Sequence, residues 1–142
     1  MCRNIAVETM RQTDRSVRIL VADQSADWAK TFYDRLNSPA VDVRFADDER
    51  KGLEIIWNEP VDLALIAGDL PQVGGLEFIR RVHWYRMEMP VIVLGGEPSR
   101  RWMLEALRMG VRTVIPRPVN VAMLVEFSIK VLNTQRIDFL SD

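Results

Sequence analysis

A chain of 142 residues, 48% hydrophobic and 27% charged, has the size and composition of one soluble domain with a sizeable core. Its 19 basic and 20 acidic side chains leave a formal charge of -1, without the overall basic excess of a nucleic-acid-binding domain. Cys2 is the sole cysteine and His83 the sole histidine, which excludes an internal disulfide and gives no zinc-ligand cluster.

In chain order, residues 1–16 read as an N-terminal arm. Arg3, Glu8, Arg11, Asp14 and Arg15 interrupt any apolar run there, so neither a leader nor a membrane span is expected, and the expected location is cytoplasmic. An apolar strand, Val17 to Ala22, follows. A helix from Asp27 to Asn37 stops before Ser38-Pro39, because the residue preceding a proline avoids helical backbone. The strand Val41 to Ala46 leads to a helix from Asp48 to Asn58, which stops in the same way before Glu59-Pro60. Val61 to Ala67 is a third strand, and Gly75 to Met87 a helix after a Gly-Gly turn. Pro90 to Gly95 is the fourth strand. The helix Ser99 to Met109 begins beside Pro98 and ends at Gly110, a suitable C-terminal cap. Val111 to Pro116 is the fifth strand, and Asn120 caps a last helix running to about Thr134. Residues 135–142 read as a C-terminal tail, with no output domain expected beyond them.

Five alternations of strand and helix imply right-handed crossovers and a parallel sheet covered on both faces. The expected fold is therefore α/β, a flavodoxin-like (βα)5 three-layer sandwich of strand order 2-1-3-4-5. In that order ligands gather where the topology reverses, at the carboxyl ends of strands one and three. Those ends are Asp23-Gln24 and Ala67-Gly68.

Four stretches then carry a likeness. Arg18-Ile-Leu-Val-Ala-Asp23, Asp62 to Glu77, Met89-Pro90-Val-Ile-Val-Leu and Ile115-Pro-Arg117-Pro118 together resemble the receiver (CheY-like) domain of two-component response regulators, over roughly Val17 to Leu132. The resemblance implies transfer of a phosphoryl group from a histidine kinase to an aspartate ending strand three. It also implies two acidic residues after strand one that help to hold a divalent cation, a Ser or Thr ending strand four and a Lys ending strand five.

Carried onto this chain, most of that equipment is missing. The nucleophile position falls on Ala67, the second acidic position on Gln24 and the hydroxyl position on Gly95. Asp23 keeps the first acidic position. Arg117 replaces the Lys, with its charge but not its geometry. The aromatic switch position falls on Val114. Asp69, two residues past Ala67, lacks the metal site it would need as a substitute nucleophile and is better read as a turn or solvated aspartate. The expectation is a degenerate pseudo-receiver over residues 17–134: no enzyme, no catalytic residue, no metal and no cofactor.

Two readings of the altered pocket follow. Asp23 and Arg117 can face each other as an ion pair that fixes one state, or remain separately solvated. The glycines of Leu94-Gly95-Gly96-Glu97-Pro98-Ser99 lead into a helix, where an anion or nucleotide is conceivable, although Pro98 removes a donor and Glu97 adds negative charge. The resemblance also implies a cis peptide at Arg117-Pro118, whereas trans is the default.

The last helix carries an apolar arc wider than one sheet contact needs, because Val125 and Ile129 extend the face of Leu124, Phe127, Ser128 and Val131. On the fourth helix, Met103, Ala106 and Leu107 suit the core and leave Trp102 and Met109 on another flank. In the family that helix, strand five and the last helix form a common output or dimerisation surface. Trp102, Met109, Val125 and Ile129 are therefore the expected interface residues, with Trp84 a further anchor. The expected function is a phosphorylation-independent signalling or adaptor module that binds a protein partner or a second copy, without direct nucleic-acid or membrane binding. The alternative is a small-ligand sensor that uses the vacated pocket.

Overall fold

The computed structural model describes residues 17–70, 72–95 and 99–134, and the backbone alone of 135–140. Its elements are β1 (Val17–Ala22), α1 (Ala29–Leu36), β2 (Val41–Ala46), α2 (Glu49–Asn58), β3 (Leu63–Ala67), α3 (Gly75–Tyr85), β4 (Val91–Leu94), α4 (Arg100–Arg108), β5 (Thr113–Ile115) and α5 (Val121–Leu140). The strands pair in parallel in the order β2-β1-β3-β4-β5, the expected flavodoxin-like arrangement.

Alternation along the central strands builds two cores. Ile19 and Val21 of β1, Leu63 and Leu65 of β3, and Ile92 and Leu94 of β4 pack with Phe32 of α1 and Leu124 of α5. Their neighbours Leu20, Ala22, Ala64, Ile66, Val91 and Val93 pack with Ile56 of α2, Phe78 of α3 and Ala106 of α4 on the other face. Strands buried on both faces need continuous Val, Ile and Leu, which explains why β1, β3 and β4 lack polar alternation. Each fully buried side chain of this size contributes roughly 1.5–3 kcal/mol of transfer free energy.

Side chains fix several element ends. Asp48, Ser99 and Asn120 accept the backbone N–H groups of Lys51, Trp102 and Met123, which caps α2, α4 and α5. α3 stops at Tyr85, short of the expected Met87, because the next residue turns away: the guanidinium of Arg86 donates to the carbonyls of Ile56, Glu59 and Val61. β3 begins at Leu63 and not Val61, because Asp62 is used in a bracket with Arg18, its carboxylate accepting the Arg18 N–H at 2.8 Å. α5 runs to Leu140, past the expected end near Thr134, over a stretch that contains neither glycine nor proline. Among the described residues, no helix is long and apolar enough to cross a membrane.

α4 corrects one expectation. Trp102, Ala106 and Met109 lean onto the core, whereas Met103 and Leu107, expected inside, are exposed. Spacings of four and then three residues put Trp102, Ala106 and Met109 on one helix face, and a spacing of four does the same for Met103 and Leu107. The sheet selected the set that contains the indole, the larger apolar surface.

Candidate functional site

The carboxyl ends of β1, β3, β4 and β5 meet at one edge of the sheet. β1 delivers Asp23 directly after its last residue, Ala22, and the side chain is buried. Three donors engage both oxygens of its carboxylate. Arg117 Nη2 donates to Oδ1 at 2.9 Å, the Ser25 N–H donates to the same oxygen at 3.1 Å, and Trp28 Nε1 donates to Oδ2 at 3.0 Å. Trp28 is itself buried and stacks edge-on against Phe32, which fixes the indole. Of the two readings of Asp23 and Arg117, facing pair or separately solvated, the structure shows the first, an ion pair whose carboxylate side is 2% exposed.

Arg117 reaches Asp23 by lying across Gly95. Gly95 has φ +73, and a β-carbon built there would sit 3.0 Å from Arg117 Nε and 3.1 Å from its Cγ. The bare backbone at the end of β4 is therefore the floor on which the arginine stem rests, and a side chain at Gly95 would compete for the same space. The Arg117-Pro118 peptide is cis.

β3 ends on Ala67, a methyl group that is 1% exposed and has no atom able to attack phosphorus. The loop after it carries Asp69, whose carboxylate is 69% exposed and lies 3.6 Å from Arg117 Nη2. Gln24 is exposed and neutral. Asp23, Gln24, Ser25, Asp27, Trp28, Asp69, Arg117, Pro118 and Val119 line an open cavity of about 620 Å³. The glycine-loop residues Gly96, Glu97 and Pro98 lie outside the described residues.

A hard divalent cation prefers several oxygen ligands, mostly carboxylate, carbonyl and water. The donor set here does not fit one. Both oxygens of Asp23 already accept fixed donors, and the Arg117 guanidinium, a positive charge, lies 2.9 Å from Oδ1. Among the described residues, no group of three or more His, Cys, Asp or Glu could hold a metal ion.

Two positioning residues were not foreseen. Trp28 closes the far side of Asp23. Glu49, 2% exposed at the start of α2, accepts the backbone N–H groups of Gln72, Val73 and Gly74 and so clamps the loop between β3 and α3. In the sequence, Asp47-Asp48-Glu49 reads as an ordinary acidic helix start, and only the buried position separates Glu49 from its neighbours.

The expected interface residues are placed unequally. Ile129 is exposed, Val125 is half-buried, and Trp102 and Met109 pack against the core. Trp84 is 87% exposed.

Residues 19–128 match the response regulator receiver domain family. The chain is 28% identical to a probable transcriptional regulatory protein of Picosynechococcus sp., over 76% of this chain and 46% of that protein. It is 25% identical to the response regulator protein PilR of Pseudomonas aeruginosa, over 77% of this chain and 24% of that one. In three dimensions it is similar to a CheY-like receiver domain protein of Methanospirillum hungatei, with a TM-score of 0.78 and 28% identity over 87% of this chain and 98% of that one. The chain belongs to the response regulator receiver family, the domains through which response regulators take part in two-component signalling. It spans less than half the length of these curated relatives.

Proposed function

We propose that this chain is a pseudo-receiver: an adaptor that signals through protein–protein contact and independently of phosphorylation. One observation carries the reading. The guanidinium of Arg117 occupies the front of Asp23, where the family's cation would be held, while the strand that should present a nucleophile ends on a buried methyl group. A fixed cation at that place favours one arrangement of the pocket without any modification. Asp69 is too exposed and too far along the loop to restore the chemistry, and its charge is already directed at Arg117. On this reading the domain, residues 17–134, is non-enzymatic and its output lies on the surface built from α4, β5 and α5, where Met103, Leu104 and Leu107 are exposed on α4 and Met123 and Ile129 on α5.

The test is intact-mass measurement after incubation with a small phosphodonor and Mg²⁺. The expected result is an unchanged mass, for the native chain and for Ala67→Asp alike, because a restored carboxylate would still lack the cation. One stable phosphoryl group on the native chain contradicts the proposal.

A second reading, a small-ligand sensor, draws on the cavity of about 620 Å³ beside Asp23 and Arg117, which is large enough for a small molecule. A rise in melting temperature on adding a nucleotide or inorganic phosphate, abolished by Arg117→Ala, is the result that would favour it.

A further inference from the structure

We infer that the aromatic edge formed by Trp57, Trp84, Tyr85 and Met87 is the seat of the chain's own residues 1–16. The inference does not depend on the adaptor reading.

The first observation is the edge itself. Trp57, in the last turn of α2, is 66% exposed, and at the end of α3 Trp84, Tyr85 and Met87 are 87%, 45% and 80% exposed. Trp57 and Tyr85 meet edge to face, with ring centroids 4.7 Å apart. Large apolar side chains gathered at one place mark a contact surface, whereas scattered ones need no explanation. Glu54, one turn before Trp57, and Glu88, directly after Met87, are exposed and form no ion pair among the described residues. The neighbouring arginines are already engaged, Arg81 by Glu77 and Arg86 by the carbonyls of Ile56, Glu59 and Val61.

The second observation is where the chain enters the fold. Each helix between parallel strands returns to the edge of the sheet from which its strand set out, so the ends of α2 and α3 share that edge with Val17. The links are short. Arg18 Nη1 lies 3.5 Å from Glu59 Oε1, the Arg18 carbonyl accepts the Asp62 N–H at 2.7 Å, and Arg86 Nη2 donates to the Glu59 carbonyl at 2.6 Å. Glu59 stands two residues after Trp57, and Arg86 directly after Tyr85. Residues 1–16 themselves lie outside the described residues. Extended, a segment of that length spans roughly 50 Å, so the aromatic edge is well within its reach.

The third observation is the chemistry of that segment. Ile5, Ala6, Val7 and Met10 supply apolar side chains, and Arg3, Arg11 and Arg15 outnumber Glu8 and Asp14. Methionine sulfur packs favourably on aromatic rings, and a guanidinium stacks on them or pairs with carboxylates such as Glu54 and Glu88. A tethered segment also competes at an effective concentration on the order of millimolar, which favours it over a second copy or a separate partner.

The test uses the 142-residue chain with a nitroxide spin label on Cys2, its sole cysteine, and reads the indole N–H signals of its four tryptophans. The expected result is loss of most of the Trp57 and Trp84 signal, while Trp28, beside the pocket, and Trp102, in the first turn of α4, keep theirs. Ile5→Asp with Val7→Asp removes apolar side chains from the segment and is expected to restore both signals. Full intensity at both indoles in the labelled native chain overturns the inference. Equal attenuation with and without the two aspartates also overturns it, because a tether passing near the edge without binding gives that result. A third sample mixes spin-labelled chain with isotope-enriched, unlabelled chain; attenuation carried from one molecule to the other identifies a second copy as the occupant and overturns the inference as well.

Discussion

The behaviour of the site is decided by a few atoms around one carboxylate. Asp23 is buried, and a buried carboxylate without partners is strongly disfavoured; here Arg117, Trp28 and the Ser25 N–H supply three donors. The pair should therefore be coupled in stability, unlike an exposed ion pair. In a double-mutant cycle with Asp23→Ala and Arg117→Ala, the expected coupling is about 1–3 kcal/mol by urea denaturation, and additive losses would show that the two side chains act independently. The two partners of this pair were legible in the sequence, since opposite charges survive at positions that the fold brings together. Trp28 was not, because an indole at a helix start reads simply as core. Nor was the dependence of Arg117 on Gly95 legible: a glycine in place of a hydroxyl reads as a loss until the arginine stem is seen lying across it.

The elements show where patterns suffice and where they do not. All five strand–helix alternations followed from apolar runs punctuated by Ser38-Pro39, Glu59-Pro60 and Gly110, because those residues act locally, and the strand order followed from the flavodoxin-like arrangement that five such units suit. The rotation of α4 did not follow. Met103, Leu107, Trp102 and Met109 are all apolar, and only packing against the sheet chooses between two faces of similar hydrophobicity. Glu49 is a second case, since its importance lies in the loop it holds and not in its own helix. Glu49→Gln should loosen that loop by exchanging charged acceptors for a neutral one. The expected cost is roughly 1–3 kcal/mol, with faster hydrogen exchange at the amides of Gln72, Val73 and Gly74. Unchanged exchange there would show that the loop is held by other contacts.

Across the whole molecule, charge is distributed with a purpose that the net value hides. The edge strand β2 is tied to the end of α2 by the fork of Arg44 on Glu59, with both bonds at 2.7 Å. Those hydrogen bonds hold the Glu59 carboxyl below the ordinary carboxylate range. A carboxyl with a lowered folded-state pKa contributes stability that is present above its unfolded value, near 4.3, and is lost as pH falls through the folded one. Denaturation midpoints should therefore fall on acidification below about pH 4, and Glu59→Gln should flatten that limb; an unaltered acid limb would remove Glu59 from the account. At the opposite end of the strands the same logic of fixed pairs leaves the innermost carboxylate of the pocket, Asp23, already paired with Arg117. The most direct measurement of that claim is a two-dimensional amide spectrum of the native chain titrated with beryllofluoride and Mg²⁺, which together cap a receptive carboxylate as a phosphoryl mimic. No displacement is expected at Asp23, Ala67, Asp69 or Arg117; saturable shifts clustered at those four residues would show that the pocket still accepts a phosphoryl group.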